Sequence, residues 1–177
     1  MTELKTHTAA FSGNNEWYTP SKYIEHARHV MGSIDVDPAS CAEANETVKA
    51  GRYYDIESDG LAQKWSGNVW MNPPYARGVM EQFIDALISK FEEGEVSQAV
   101  VLVNNCTETQ WFQRLCRRSQ GMCFVERRIQ FNAPKGEFRK SPIRGQIFFY
   151  FGPLTGAIRF HETFVRVGDV WSRGIAK

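Results

Sequence analysis

A run of five apolar residues, Ala-Val-Val-Leu-Val at positions 99–103, constrains the fold of this 177-residue chain more than any other feature. Polar residues do not alternate with apolar ones in this run, which is typical of a strand that is buried on both faces. Such strands occur in largely parallel sheets that carry helices on both sides. We therefore expect an α/β fold.

Helical periodicity predicts helices on either side of this strand. The clearest lies at 79–91, where Val79, Phe83, Leu87 and Phe91 fall on one face and charged residues fall on the other. The other predicted helices lie at 21–30 with Ser21 as the cap, at 39–50 with Gly51 as the stop, and from a cap at Thr107 or Thr109 to 118.

Short apolar and aromatic segments predict the remaining strands at 33–37, 52–54, 69–71, 122–125, 128–131 and 146–151. Strands alternate with helices over the first two thirds of the chain, which predicts a mostly parallel sheet. The closing strands predict an antiparallel C-terminal hairpin. We expect a flexible arm at 1–15 and a single domain at 16–177, with a basic loop near 132–145.

The tetrapeptide Asn72-Pro73-Pro74-Tyr75 directly follows the predicted strand at 69–71. Open α/β sheets bind ligands at the carboxyl ends of their strands, so these residues fall where a site is expected. The Asn72 side-chain oxygen and the Pro73 carbonyl can accept hydrogen bonds from an amino group on a flat ring, and Tyr75 can stack on that ring. The prolines fix φ and hold the carbonyl in place. Alternatively, the tetrapeptide is a turn in which Tyr75 covers the core.

Two acidic residues and the segment 17–20, which precedes the first predicted helix, suit a nucleoside ligand. Asp37 ends a predicted strand, where a carboxylate can accept hydrogen bonds from ribose hydroxyls, and Asp59 comes shortly before the tetrapeptide. Each acid is equally well explained as a helix cap or turn former. Aromatic packing alone would equally account for the segment 17–20. The residues expected around this ligand are Trp17, Tyr18, Thr19, Pro20, Asp37, Pro38, Ala39 and Asp59.

With these residues in this order, the chain resembles the bacteriophage-type DNA N6-adenine methyltransferases, which are related to Dam. The resemblance extends from about residue 15 to 153. It depends on Glu-Trp-Tyr-Thr-Pro at 16–20, Asp-Val-Asp-Pro-Ala at 35–39, Asp-Gly-Leu at 59–61 with Trp65, and the tetrapeptide, which is similar to the catalytic signature of amino-methyltransferases.

The resemblance implies a Rossmann-like fold, S-adenosylmethionine as the methyl donor and adenine in DNA as the acceptor. Adenine in a duplex is buried in the stack, so we expect a flipped-out adenine of double-stranded DNA. It assigns catalysis to Asn72, Pro73, Pro74 and Tyr75. One segment departs from the family pattern, because residues 37–42 lack the glycines of the usual Phe-x-Gly-x-Gly cofactor loop. This segment is either a degenerate form of that loop or the second strand of a compacted fold.

The segment 114–144 is basic, with nine Lys and Arg residues against two Glu, although the whole chain has a formal net charge of only +1. This asymmetry favours a DNA-binding face, and a solvated charged surface is the alternative. Phe131 is expected to stack on the flipped base or, as a nearly equal alternative, to pack in the core. The residues expected at the DNA are Phe131, Lys135, Arg139, Lys140 and Arg144.

Other functions remain open at this level. The same chemistry suits cytosine N4, RNA or a protein amide as the acceptor, and a non-catalytic nucleic-acid-binding module is a further alternative. Four cysteines without a CxxC pair and an N-terminus unlike a signal peptide predict a protein of the cytoplasm, or of the host cytoplasm if phage-encoded. No membrane segment or metal site is expected. A restriction-modification role, a homodimer and a GATC-like target remain open.

Overall fold

The computed structural model describes residues 18–76, 78–133 and 144–174, which form a mixed α/β fold. Its helices are α1 (Ser21–Met31), α2 (Ala42–Val48), α3 (Val79–Glu92), α4 (Gln110–Arg118) and α5 (Leu154–Phe164), with a 3-10 helix at Gly60–Ala62. Its strands are β1 (Val36–Asp37), β2 (Arg52–Tyr53), β3 (Gly67–Met71), β4 (Val96–Asn104), β5 (Gly121–Val125), β6 (Gln146–Phe151) and β7 (Gly168–Ser172).

All of these strands join one sheet in the order β2-β1-β3-β4-β6-β5-β7. The pairs β1–β2, β1–β3 and β3–β4 are parallel, whereas β4–β6, β5–β6 and β5–β7 are antiparallel. The prediction that the sheet has a parallel part followed along the chain by an antiparallel part is therefore confirmed. The antiparallel part is larger than a hairpin, because β7 adds a strand beyond β5 that the sequence analysis did not predict.

Strand β4 crosses the middle of this sheet and is buried on both faces, as its apolar run predicts. Val100 and Leu102 pack in one core cluster together with α1 and α5, while Val101 and Val103 pack in a second cluster with α3 and α4. Neighbouring residues of a strand point to opposite faces, so an uninterrupted apolar run fits a sheet that is covered on both sides.

The helix boundaries follow local capping. Thr109 is the cap of α4, since its hydroxyl accepts a hydrogen bond from the Phe112 amide at 3.4 Å. Helix α1 has Pro20 at its N-cap position, so the prediction of Ser21 as the cap was wrong. The helix predicted at 39–50 is shorter, because Cys41 caps it and Lys49, with a left-handed φ of 50°, ends it before Gly51.

Two other expectations were wrong. Residues 128–131 form no strand, and the chain instead pairs one residue further on, where Asn132 and Tyr18 exchange backbone hydrogen bonds of 2.9 and 2.8 Å. The strand predicted at 33–37 is reduced to Val36–Asp37. The predicted arm at 1–15 and most of the predicted basic loop lie outside the described residues. Within the described ranges, no helix combines the length and apolar character needed to cross a membrane.

Candidate active site

The chain reverses its direction across the sheet next to β1. It passes from β1 to β2 on one side and then returns to β3 on the other, so the switch point of the topology, where a crevice is expected, lies at the carboxyl ends of β1 and β3. Ligands of open α/β sheets bind in such crevices. Asp37 ends β1 and Asn72 follows β3, which brings a predicted cofactor residue and a predicted catalytic residue to the same edge.

The topology also bears on the segment without glycines at 37–42. Strand β1 is the first strand in the described part of the chain, and it is hydrogen-bonded to the strand that carries the tetrapeptide. The segment therefore follows the strand beside β3, in the position of a first-strand loop. This arrangement favours the interpretation as a degenerate cofactor loop over the second-strand interpretation.

Two hydroxyl groups orient the Asn72 side chain. The Asn72 Nδ2 atom donates to the Thr19 hydroxyl at 3.3 Å, and the Tyr75 hydroxyl donates to Asn72 Oδ1 at 3.1 Å. A side-chain amide oxygen has two lone pairs, so Oδ1 can accept a second hydrogen bond from a ligand. The sequence predicts Thr19 near the cofactor and Tyr75 at a base, but it does not indicate that both contact Asn72.

The rest of the tetrapeptide is partly covered by protein. Pro73 is buried, whereas Pro74 and Tyr75 are half-buried, and Tyr75 packs against the core cluster of α3 and α4. Burial raises the pKa of the Tyr75 phenol, so the hydroxyl keeps its proton and can donate to Asn72. The ring thus serves both the core and the hydrogen bond at the site.

Asp37 is the most strongly perturbed acid near the crevice. Its side chain is buried and accepts a hydrogen bond from the Ala39 amide at 3.3 Å. Burial raises the pKa of the Asp37 carboxyl to about 7, because a charged carboxylate is costly to remove from water, while hydrogen bonds from the Ala39 amide and the Ser40 hydroxyl act in the opposite direction. A buried acid with such a pKa at the carboxyl edge is a candidate for ligand binding.

The loop after β1 is held closely against the 3-10 helix. A methyl group on Gly60 would lie 1.9 Å from the Pro38 carbonyl oxygen, so only glycine allows this approach. The buried Trp65 indole donates to the Gly60 carbonyl at 2.7 Å and fixes the turn. In the same loop, the Ser40 hydroxyl is buried and lies beside the Asp37 carboxyl, whose pKa it lowers.

Asp59 adopts the capping role that the sequence analysis left open. Its φ is 49°, its side chain accepts from the Leu61 amide at 3.2 Å, and the residue is exposed at the start of the 3-10 helix. A carboxylate has further lone pairs beyond this bond. Its contact with a cofactor stays a prediction.

The segment before α1 lies beside the loop after β1. The Tyr18 hydroxyl accepts from the Cys41 thiol at 3.5 Å and donates to Glu43 Oε2 at 3.5 Å. Thr19 is buried, and Pro20 precedes α1. These contacts bring Tyr18 and Thr19 to the crevice, while Trp17 lies outside the described residues.

The predicted DNA-contacting residues are described only in part. Phe131 is partly buried and packs against the core cluster of α1 and α5, which agrees with its packing alternative; its contact with a base is untested. Arg144 lies at the carboxyl edge, where its guanidinium is 3.5 Å from the Cys106 sulfur. Lys135, Arg139 and Lys140 fall in the segment 134–143, outside the described residues.

The crevice fits a ligand with hydroxyl groups. Asp37 provides a buried acceptor and Ser40 a buried hydroxyl beside it, and both groups suit the hydroxyls of a ribose. Ser40 was not predicted from the sequence, although its place directly after Asp-Pro-Ala was a usable signal. No group of three or more His, Cys, Asp or Glu side chains suited to a metal occurs in the described ranges.

A seven-stranded sheet with a parallel part followed by an antiparallel part is consistent with a methyltransferase-like α/β protein. Comparison with family models agrees, because the model described as DNA N-6-adenine-methyltransferase (Dam) matches residues 5–175. The chain belongs to this family. A search of curated proteins found no match.

Proposed function

We propose that the protein transfers the methyl group of S-adenosylmethionine to the N6 nitrogen of a flipped-out adenine in DNA. The observation that carries this proposal is the doubly anchored Asn72 amide at the carboxyl end of β3. Family membership supports adenine N6 as the acceptor. An adenine stacked in duplex DNA cannot reach such a crevice, so flipping is part of the proposal.

Asn72 and Pro73 activate the amine in this proposal. The adenine N6 amine is a poor nucleophile because its lone pair is delocalised into the ring. When Asn72 Oδ1 and the Pro73 carbonyl each accept one N6 hydrogen, the nitrogen becomes more tetrahedral. The two oxygens also place negative potential where positive charge develops on N6. The Thr19 and Tyr75 contacts hold Asn72 before the reaction, which limits reorganisation.

The transfer is a single displacement. When bound, S-adenosylmethionine supplies an electrophilic methyl group on a sulfonium; the sulfur–carbon bond breaks as the nitrogen–carbon bond forms, and the sulfur keeps the electron pair. N6 then loses one proton to water, since neither the Asn72 amide oxygen nor the Pro73 carbonyl is basic enough to keep it. Asp37 and Ser40 hold the ribose hydroxyls, and Tyr75 provides a face for the adenine.

Asn72→Ala tests this assignment. Loss of one preorganised polar group at a reacting centre typically reduces kcat by about 10²–10³-fold, and we expect a loss of this size in labelled methyl transfer to unmethylated DNA. Cofactor binding by calorimetry should stay near wild type, because Asn72 contacts only the adenine in this proposal. DNA binding should weaken little, because the truncation removes one hydrogen bond to the flipped base and none to the phosphates. Asn105→Ala is the matched control, since Asn105 is exposed at the same edge after β4. Full activity of Asn72→Ala would rule out the proposed role.

A further inference from the structure

A cationic cleft of about 330 Å³ lies outside the proposed active site. It is formed by the start of α1, the end of β5 and the turn between α5 and β7. The Glu126 amide donates to the Val167 carbonyl at 3.1 Å and ties two of these elements together. The lining residues are Lys22, Tyr23, His26, Val125, Glu126, Arg127, Arg166 and Val167.

The cleft is positively charged. Lys22, Arg127 and Arg166 are exposed, and the described residues offer none of them a carboxylate within ion-pair distance. Glu126 is the one acid in the lining. Burial lowers the pKa of His26, and the positive charges of Lys22, His29 and Arg166 lower it further, which agrees with a positive potential in the cleft.

The cleft and the proposed active site share one edge of the sheet. Val125 ends β5, which runs parallel to β3, so both open at the carboxyl edge. Strands β3 and β5 are separated by three strand spacings, or about 14 Å. One DNA strand advances about 3.4 Å per nucleotide, so this separation corresponds to roughly four nucleotides. Lys22 lies on the first turn of α1, three residues after Thr19, whose hydroxyl accepts a hydrogen bond from Asn72.

We propose that this cleft binds backbone phosphates of duplex DNA a few nucleotides away from the target adenine. The inference rests on the proposed function, because it assumes that the adenine enters at Asn72. Lys22, Arg127 and Arg166 contact phosphate oxygens and carry affinity without reading sequence. None of these three residues is among those that the sequence predicts at the DNA.

The double variant Arg127→Ala/Arg166→Ala tests the cleft. DNA affinity is measured by fluorescence anisotropy on a duplex of about 20 base pairs between about 50 and 200 mM salt. Removal of two phosphate contacts should reduce the slope of log affinity against log salt by about 1.8. The matched control is Lys64→Ala/Arg117→Ala, which removes two exposed cations from the opposite edge of the sheet. We expect the control to keep the wild-type slope.

Methyl transfer at saturating DNA separates this inference from the proposed function. The cleft variant should keep the wild-type kcat and show a raised KM for DNA, since the reacting groups are unchanged. An unchanged salt slope in the cleft variant, or an equal reduction in the control, would overturn the inference and leave the proposed function standing. Salt-dependent binding that the cleft variant weakens, without methyl transfer by wild type, would support the cleft and overturn the proposed function. No DNA binding by wild type would overturn both.

Discussion

Replacement of Asp37 by asparagine should stabilise the ligand-free protein. Burial raises the pKa of the carboxyl from 3.8 to about 7, so the folded state opposes its ionisation. At about 1.4 kcal/mol for each pH unit, this difference corresponds to about 4 kcal/mol. The amide introduced by Asp37→Asn cannot ionise and avoids this cost, while it keeps nearly the same shape.

The sign of the effect follows from proton binding. Below pH 3.8 both the folded and the unfolded chain hold the Asp37 proton, and the stability contribution of the protonated acid is fully present. As the pH rises towards 7, the unfolded chain loses this proton first, so the free energy of unfolding falls. The advantage of Asp37→Asn over wild type should therefore grow by roughly 2–3 kcal/mol between about pH 5 and pH 8.

Urea denaturation at about pH 5, 6.5 and 8 measures this difference. Asp35→Asn is the matched control, because Asp35 accepts hydrogen bonds from Ser33 and from the Asn68 amide, at 2.9 and 2.8 Å. The substitution replaces one of the two accepting oxygens by an NH2 group, which should destabilise the control by about 1–3 kcal/mol. An Asp37→Asn variant that is less stable than wild type, or a stability difference independent of pH, would refute the reasoning.

The same variant links stability to cofactor binding. If the ionised Asp37 accepts hydrogen bonds from ribose, S-adenosylmethionine should raise the Tm of wild type and have little effect on Asp37→Asn. Binding to wild type should also weaken as the pH falls below about 7, because protonation removes an acceptor. Calorimetric titrations at about pH 6 and pH 8 measure this dependence, and equal affinities would contradict it.

Two further substitutions test the supports of the site. Thr19→Val removes the hydroxyl that accepts a hydrogen bond from Asn72 and should lower kcat by roughly 10–100-fold with unchanged DNA affinity. Thr19→Ser keeps the hydroxyl and should keep most of the activity. Equal rates in the two variants would show that Thr19 does not position Asn72. Gly60→Ala pushes a methyl group into the Pro38 carbonyl, which should lower the free energy of unfolding in urea by about 1–3 kcal/mol and weaken cofactor binding. The control is Gly145→Ala, whose added methyl group meets nothing closer than 3.9 Å. Equal stabilities of the two variants would contradict the close approach of Gly60 to Pro38.

The sequence predicted the central strands and the position of the tetrapeptide after β3, because those features are local. The uninterrupted apolar run predicted the buried strand β4, and the helical spacing of apolar residues predicted α3. The tetrapeptide comes directly after β3 in the sequence. The carboxyl-edge rule then places Asn72 in the crevice. The spacing of Ala157, Phe160 and Phe164 was an equally local signal for α5, although the helix was not predicted from it.

The remaining features depend on contacts between distant residues. Thr19 and Asn72 are 53 positions apart, and no local pattern indicates their hydrogen bond. Lys49 ends α2 in a left-handed conformation, which a residue with a Cβ rarely adopts. Gly51 was therefore the more reasonable end of this helix to predict from the sequence. The strand predicted at 128–131 has suitable residues, but the chain there pairs with Tyr18 through Asn132 and never joins the sheet.

Mass spectrometry of nucleosides tests the central claim most directly. Wild-type protein is incubated with unmethylated duplex DNA and S-adenosylmethionine, and the DNA is then digested to nucleosides. We predict N6-methyladenine as the methylated product, and we predict its near absence after reaction with Asn72→Ala. N4-methylcytosine as the sole product, or no methylated nucleoside from a folded protein that binds both substrates, would contradict the account.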